Sequence, residues 1–176
     1  LYVLPRFHDP DDVPPDFPAV GIGLGIVIEG RLYRGMDHRA GEFRSAFLNR
    51  DDHSELAISV QETREMKNSP VVKRKLFAEI LQNLGFAVSL LNPGSILVGG
   101  NIAGDEELLR SILENELAPI QQYFKRAHCT VEILQDVSYA AAEGAAANML
   151  TELYQVPQAG MPGMSRRIWT HMLANA

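Results

Sequence analysis

Apolar residues at positions 72, 76, 80, 84, 88 and 91 recur at spacings of four and three, with Phe77 and Leu81 beside them. That spacing traces one face of a 3.6-residue helix and predicts a long amphipathic helix from Pro70 to Leu91. Pro70 suits its first turn, and Asn92-Pro93-Gly94 ends it. Ser95–Val98 then reads as an apolar strand running into Gly99-Gly100. A second helix is expected to open at Asp105, with Leu108, Leu109, Ile112, Leu113, Leu117 and Ile120 on one face. Cys129–Leu134 alternates and is rich in β-formers, and Tyr139–Tyr154 reads as an alanine-rich helix able to approach a neighbour closely at Gly144. Helix, strand, helix, strand, helix in this order predicts an α/β layer with a mixed sheet and flanking helices.

The first third is punctuated differently. Leu1–Phe7 has strand composition, which Pro5 is expected to stop. His8–Pro18 carries four prolines and four aspartates in eleven residues and reads as a solvated loop between strands. Ala19–Ile28 and Arg31–Tyr33 predict a hairpin with Glu29-Gly30 at its turn. Within it Gly21, Gly23 and Gly25 alternate with large apolar residues. Glycines at alternate positions strip one face of a strand, so a phosphate or another strand can lie against the backbone. Residues 35–69 carry a weak pattern: an irregular excursion ending in a short helix near Gln61–Met66. The tail from Val156 holds prolines and glycines, then a terminal helix over Ser165–Leu173.

Composition narrows the classes. The 176 residues, 46% hydrophobic and 22% charged, suit one folded domain. A net charge of -6 argues against a broad basic surface for nucleic acid. The single cysteine, Cys129, can form neither an internal disulfide nor a thiolate zinc site, and is expected to be a small buried residue in a cytoplasmic protein. No run of 18 apolar residues exists to span a membrane. The opening Leu1-Tyr2 reads as the start of a fragment of a longer chain.

The stretch Gly21-Ile22-Gly23-Leu24-Gly25-Ile26-Val27, followed by Gly35 and by Ala40-Gly41-Glu42, resembles the ROK family of repressors, open reading frames and sugar kinases. Leu91-Asn92-Pro93 with Ile96-Leu97-Val98-Gly99-Gly100 is similar to the family's Asn-Pro, apolar strand, Gly-Gly element, and Glu143-Gly144-Ala145-Ala146 to its closing Gly-Ala-Ala helix. The resemblance covers Pro18 to Leu153. It implies the C-terminal lobe of an actin-like, ribonuclease-H-type ATPase fold over residues 1–155, with 156–176 as a tail.

The resemblance also marks candidate residues. Glu42 stands where the family's Glu-x-Gly-His motif supplies a carboxylate to sugar hydroxyls, a task suited to a group that accepts several hydrogen bonds. Arg44-Ser45 replaces the Gly-His pair, and His38 is the nearest histidine able to serve as a second sugar contact. Gly21 and Gly23 match the phosphate-cradling loop, but Ala19 and Val20 stand in place of its first glycine and its threonine. They read either as a vestigial nucleotide contact or as a flattened hairpin packing in the core. Gly99 and Gly100 match the adenosine-binding turn, or form a simple strand-to-helix turn. The family's zinc cluster has no counterpart, so no cofactor is expected, and without a bracing metal the stretch from Arg39 to Asn68 is expected to be disordered. The family's general base lies in a lobe that this sequence does not contain, so no catalytic residue is expected here. The implied function is the sugar-sensing and oligomerising lobe of a transcriptional regulator. It would bind a monosaccharide or sugar phosphate, form a homo-oligomer, and meet DNA only through a helix-turn-helix outside these residues. The alternatives are half of a divergent ATP-dependent sugar kinase, or a lobe kept for assembly alone.

Overall fold

In the computed structural model, which describes residues 1–48, 54–135 and 139–154, strand β1 (Tyr2–Phe7) lies inside a four-stranded mixed sheet of order β2-β1-β5-β6. It pairs antiparallel with β2 (Val20–Gly25) and parallel with β5 (Ser95–Val98), and β5 pairs parallel with β6 (Thr130–Ile133). Pro5 does not stop β1: it sits opposite Ile22 in the middle of the ladder. The reason is directional. Residue 5 would send its N–H toward β5, and β5 has already ended at Val98, so no ladder bond is lost to the proline. Phe7, two residues on, sends its N–H the same way, to Asn101 Oδ1 at 2.7 Å.

The predicted hairpin resolves into two pairings. β2 belongs to the main sheet, while β3 (Val27–Ile28) and β4 (Arg31–Leu32) form a two-stranded ribbon. Glu29 and Gly30, both at positive φ (52° and 74°), make its turn, matching the twist that two-residue hairpins require.

Helix α1 (Val60–Glu65) starts from a capping box in which Ser59 and Glu62 exchange side-chain and backbone hydrogen bonds. Helix α2 (Pro70–Leu91) has the bounds its periodicity predicts, with Ser69 as N-cap and left-handed Asn92 closing it. Its buried face of Leu76, Phe77, Ile80, Leu81, Leu84 and Val88 packs in one core with Val3, Ile96 and Val98 of the sheet. The helix expected to run from Asp105 through Ile120 is two: α3 (Glu106–Asn115) and α4 (Ala118–Arg126). Pro119 lacks an N–H and clashes with a preceding helical turn, so the chain stops at Asn115 and restarts with the proline in a first turn.

Of the stretch expected to be disordered, residues 49–53 lie outside the described residues, while 39–48 and 54–68 pack against the rest of the fold. Phe43, Leu56, Ile58 and Met66 all belong to the core. The bracing comes from protein groups: Glu79 of α2 accepts from the Ala57 and Ile58 amides, and Ser45 N–H donates to Glu55 O. Cys129 is buried, as expected of a small apolar residue.

The chain divides into two units, Leu1–Gln135 and Asp136–Ala176. In the second, α5 (Ala140–Tyr154) is the described element, with Tyr139, Met149, Leu150 and Tyr154 exposed. The helix expected over Ser165–Leu173 lies outside the described residues. No described helix is long and apolar enough to cross a membrane.

Candidate functional site

Sheet register decides which candidates meet. Gly21 and Gly23 lie opposite Arg6 and Leu4 of β1. On the other edge of β2, Gly23 forms a bridge with Glu42, fixed by Leu24 N–H donating to Gly41 O at 2.9 Å. Directly opposed residues project to the same face of a sheet, so the Glu42 side chain rises on the face that the β2 glycines leave bare. A Cβ on Gly23 would meet nothing within 4 Å, and one on Gly21 would meet only His8 Nε2, at 3.7 Å. Glu42 is exposed, and among the described residues its carboxylate enters no hydrogen bond or ion pair.

The segment carrying Glu42 alternates: Glu42 exposed, Phe43 buried, Arg44 exposed, Ser45 buried. Arg44 therefore shares the open face with Glu42, one residue pair further along toward Gly21. Ser45, where the resemblance expects a histidine, points inward and accepts from Asn83 Nδ2 at 3.2 Å. His38 is exposed, at φ 60° in the short 3-10 turn Met36–His38, and makes no bond to Glu42.

The Gly21 and Gly23 amides are already engaged. Outward-facing Leu24 N–H alternates with inward-facing neighbours, so Gly21 and Gly23 donate toward β1. Ala19 N–H is capped by the buried hydroxyl of Thr63 at 3.0 Å, and His8 N–H closes on Ala19 O at 2.9 Å. The 8–18 loop is latched to α1 by Arg64, whose guanidinium donates to the carbonyls of Pro10, Val13 and Pro14. Lys67 adds an ion pair to Asp9 at 2.9 Å, holding that carboxyl below its usual range.

Gly99 and Gly100 flank β1 on its other side, and close packing accounts for both. A Cβ on Gly99 would stand 2.5 Å from the Tyr2 hydroxyl. One on Gly100 (φ 71°) would overlap the Pro5 carbonyl. Gly99 N–H donates to Val3 O at 2.9 Å. The chain then runs through a 3-10 turn (Gly100–Asp105) before α3, whose first turn carries Glu106 and Glu107. Those carboxylates complement the helix dipole and oppose an anion there. The Tyr2 hydroxyl is buried beside Gly99 without a hydrogen-bond partner among the described residues, and burial pushes its pKa up.

A separate groove of about 350 Å³ runs along α2, lined by Phe47, Ala57, Val71 and Ala78. Its cations are occupied: Arg74 pairs with Glu116, and Lys75 with Glu62 at 2.8 Å. No group of three or more His, Cys, Asp and Glu among the described residues is arranged to hold a metal ion.

Sequence reasoning missed Arg6 and His8 as neighbours of the glycine strand. The signal was available only through register, because Pro5 argued against a strand reaching them.

No family model matches the chain. Its fold is that of the corresponding part of the ROK hexokinase from Thermus thermophilus: TM-score 0.53 at 18% identity, covering 84% of this chain and 57% of that one. This is the actin-like ATPase fold. A ROK family glucokinase from Streptomyces griseus, solved with glucose and AMPPNP, is matched at TM-score 0.43 and 19% identity over 83% of this chain and 59% of that one. An uncharacterised protein of Clostridium perfringens is 22% identical over 123 residues, covering 56% of this chain and 42% of that protein. The chain thus spans less than two thirds of the length of each of these three proteins.

Proposed function

We propose that this chain is the C-terminal lobe of a ROK-family protein, serving as the sugar-sensing and oligomerising part of a transcriptional regulator. One observation carries the reading. The amides of Ala19, Gly21 and Gly23 are satisfied within the protein, through the Thr63 cap on Ala19 and the β1 ladder, while Glu42 stays exposed beside open Gly23. A phosphate cradle needs unpaired amides; a sugar contact needs a carboxylate with room in front of it. Sugar bound at Glu42 would shift lobe or subunit orientation and so alter the DNA affinity of a helix-turn-helix outside these residues. The effector class is a monosaccharide or sugar phosphate, the assembly a homo-oligomer, and the compartment the cytoplasm. His38 serves as a second sugar contact only if its turn moves toward Glu42.

The likeness to the Thermus hexokinase favours a second reading, half of a sugar kinase whose base lies outside these residues. Calorimetric titration with monosaccharides and with Mg-ATP separates the two, with Glu42→Ala as control. Sugar binding that Glu42→Ala abolishes, with no response to Mg-ATP, is the expected result. Mg-ATP binding together with sugar-dependent phosphoryl transfer by the longer protein would overturn it.

A further inference from the structure

The bare face of β2 is more than a gap beside Glu42. Arg6 stands opposite Gly21 on one side, and the segment carrying Glu42 and Arg44 bridges to Gly23 on the other. Two strand spacings separate the flanking rows, roughly 10 Å between backbones, with glycine between them. Because neither Gly21 nor Gly23 carries a side chain, the floor of this bay is backbone, and His8 borders it at the Gly21 end. Among the described residues, Arg6 and Arg44 enter no side-chain hydrogen bond or ion pair, and both are exposed. The loop carboxylate nearest in sequence, Asp9, is bound to Lys67, and Arg64 latches its loop to α1.

Two guanidiniums without a carboxylate partner among the described residues, on either side of a glycine strand, stand out in a chain of net charge -6. Guanidinium recognises planar or tetrahedral oxyanions with paired donors. A carboxylate between them does the opposite work, accepting from hydroxyls. We propose that the bay selects an anionic sugar: Arg6 and Arg44 take its phosphate or carboxylate, and Glu42 takes its hydroxyls. This rests on the reading of Glu42 as a sugar contact and narrows it to charged monosaccharides. The anion is gripped by side chains, since the Gly21 and Gly23 amides are spent on the ladder.

The test is calorimetric titration of the 176-residue chain with glucose, glucose 6-phosphate, glucuronate, inorganic phosphate and Mg-ATP. N-acetylglucosamine and its 6-phosphate give a second neutral and anionic pair. At least one anionic sugar is expected to bind ten-fold or more tighter than its neutral parent. Arg44→Gln and Arg6→Gln should each erode that ratio several-fold. A preference for the phosphate over glucuronate, or the reverse, identifies which oxyanion the two arginines fit. Neutral and anionic partners binding equally would overturn the proposal while leaving the Glu42 reading intact. Binding of inorganic phosphate or Mg-ATP as tight as any sugar would overturn it as well. Loss of every sugar response would overturn both. Each arginine is on the surface, so circular dichroism of the variants should match the parent chain.

Discussion

Glu79, in the middle of α2, accepts hydrogen bonds from the backbone N–H groups of Ala57 at 2.6 Å and Ile58 at 3.4 Å. The carboxylate is buried, and it fastens an irregular segment to the helix that carries most of the core. Glu79→Leu would fill the volume yet leave those amides without an acceptor. The expected loss is about 1–3 kcal/mol, and Glu79→Gln, which keeps one acceptor oxygen, should lose less. Urea denaturation of the two variants checks the order; equal midpoints for Glu79→Leu and the parent chain would refute the brace.

Thr63 makes the corresponding fastening at the hairpin tip, accepting from Ala19 N–H and donating to Val60 O at 2.6 Å. Thr63→Val keeps the shape and removes both bonds. Stability should fall by roughly 1–2 kcal/mol, and hydrogen exchange at Ala19 should accelerate far more than at Val98. Unchanged exchange at Ala19 would mean that the cap is not formed in solution.

The glycines of the candidate site separate into two kinds. Gly100→Ala would drive a methyl into the Pro5 carbonyl at a positive φ, and Gly99→Ala would press on the Tyr2 ring. The first should cost about 2 kcal/mol or more. Gly23→Ala meets no neighbour and should leave the melting temperature unchanged or raised, yet it places a methyl on the floor of the bay and should weaken sugar binding. A Gly23→Ala variant that binds sugar normally would move the ligand off this face.

Much of the architecture was legible from local pattern. Helix α2 announces itself because Ser69, Pro70, the four-and-three spacing and Asn92-Pro93 all agree. Strand β1 past Pro5 was not, because the tolerance of proline there depends on where β5 ends, ninety residues away. The break between α3 and α4 follows from Pro119, overridden in the sequence reading by a continuous apolar face. Of the candidate site, the glycine alternation and Glu42 were visible. That Arg6 and Arg44 flank the same glycines was not, because register is a property of paired strands.

Glu62 supplies a pH signature. Its pKa is lowered from 4.5 to about 2, first by the hydrogen bond from Lys75 and then by those from Ser59. A carboxyl depressed in the folded state lends stability that is complete above its unfolded pKa and is lost as pH falls toward 2. The stability difference between the parent chain and Lys75→Gln should therefore be constant above about pH 5 and shrink to nothing near pH 2. Urea midpoints measured across that range check it, and a difference that persists at pH 2 would assign the effect to packing.

Burial pushes the Cys129 thiol up in pKa. The native protein should accordingly resist alkylation at pH 8 and react fully once unfolded. Rapid labelling of the native chain, followed by mass spectrometry, would show that the residue is reachable.

The position of β1 has a consequence for how the molecule comes together. A strand flanked by β2 and β5 meets one partner about twenty residues on and the other only about ninety-five residues on, with Phe7 anchored to Asn101 across that longer interval. Closing so long a loop is entropically slow, and contacts of this separation set folding rates. On the ribosome, β1 and β2 emerge as a bare hairpin and wait for α2 and β5. The nascent chain would spend that interval with its sheet half-built, which makes this stretch the one where a chaperone is expected to hold it.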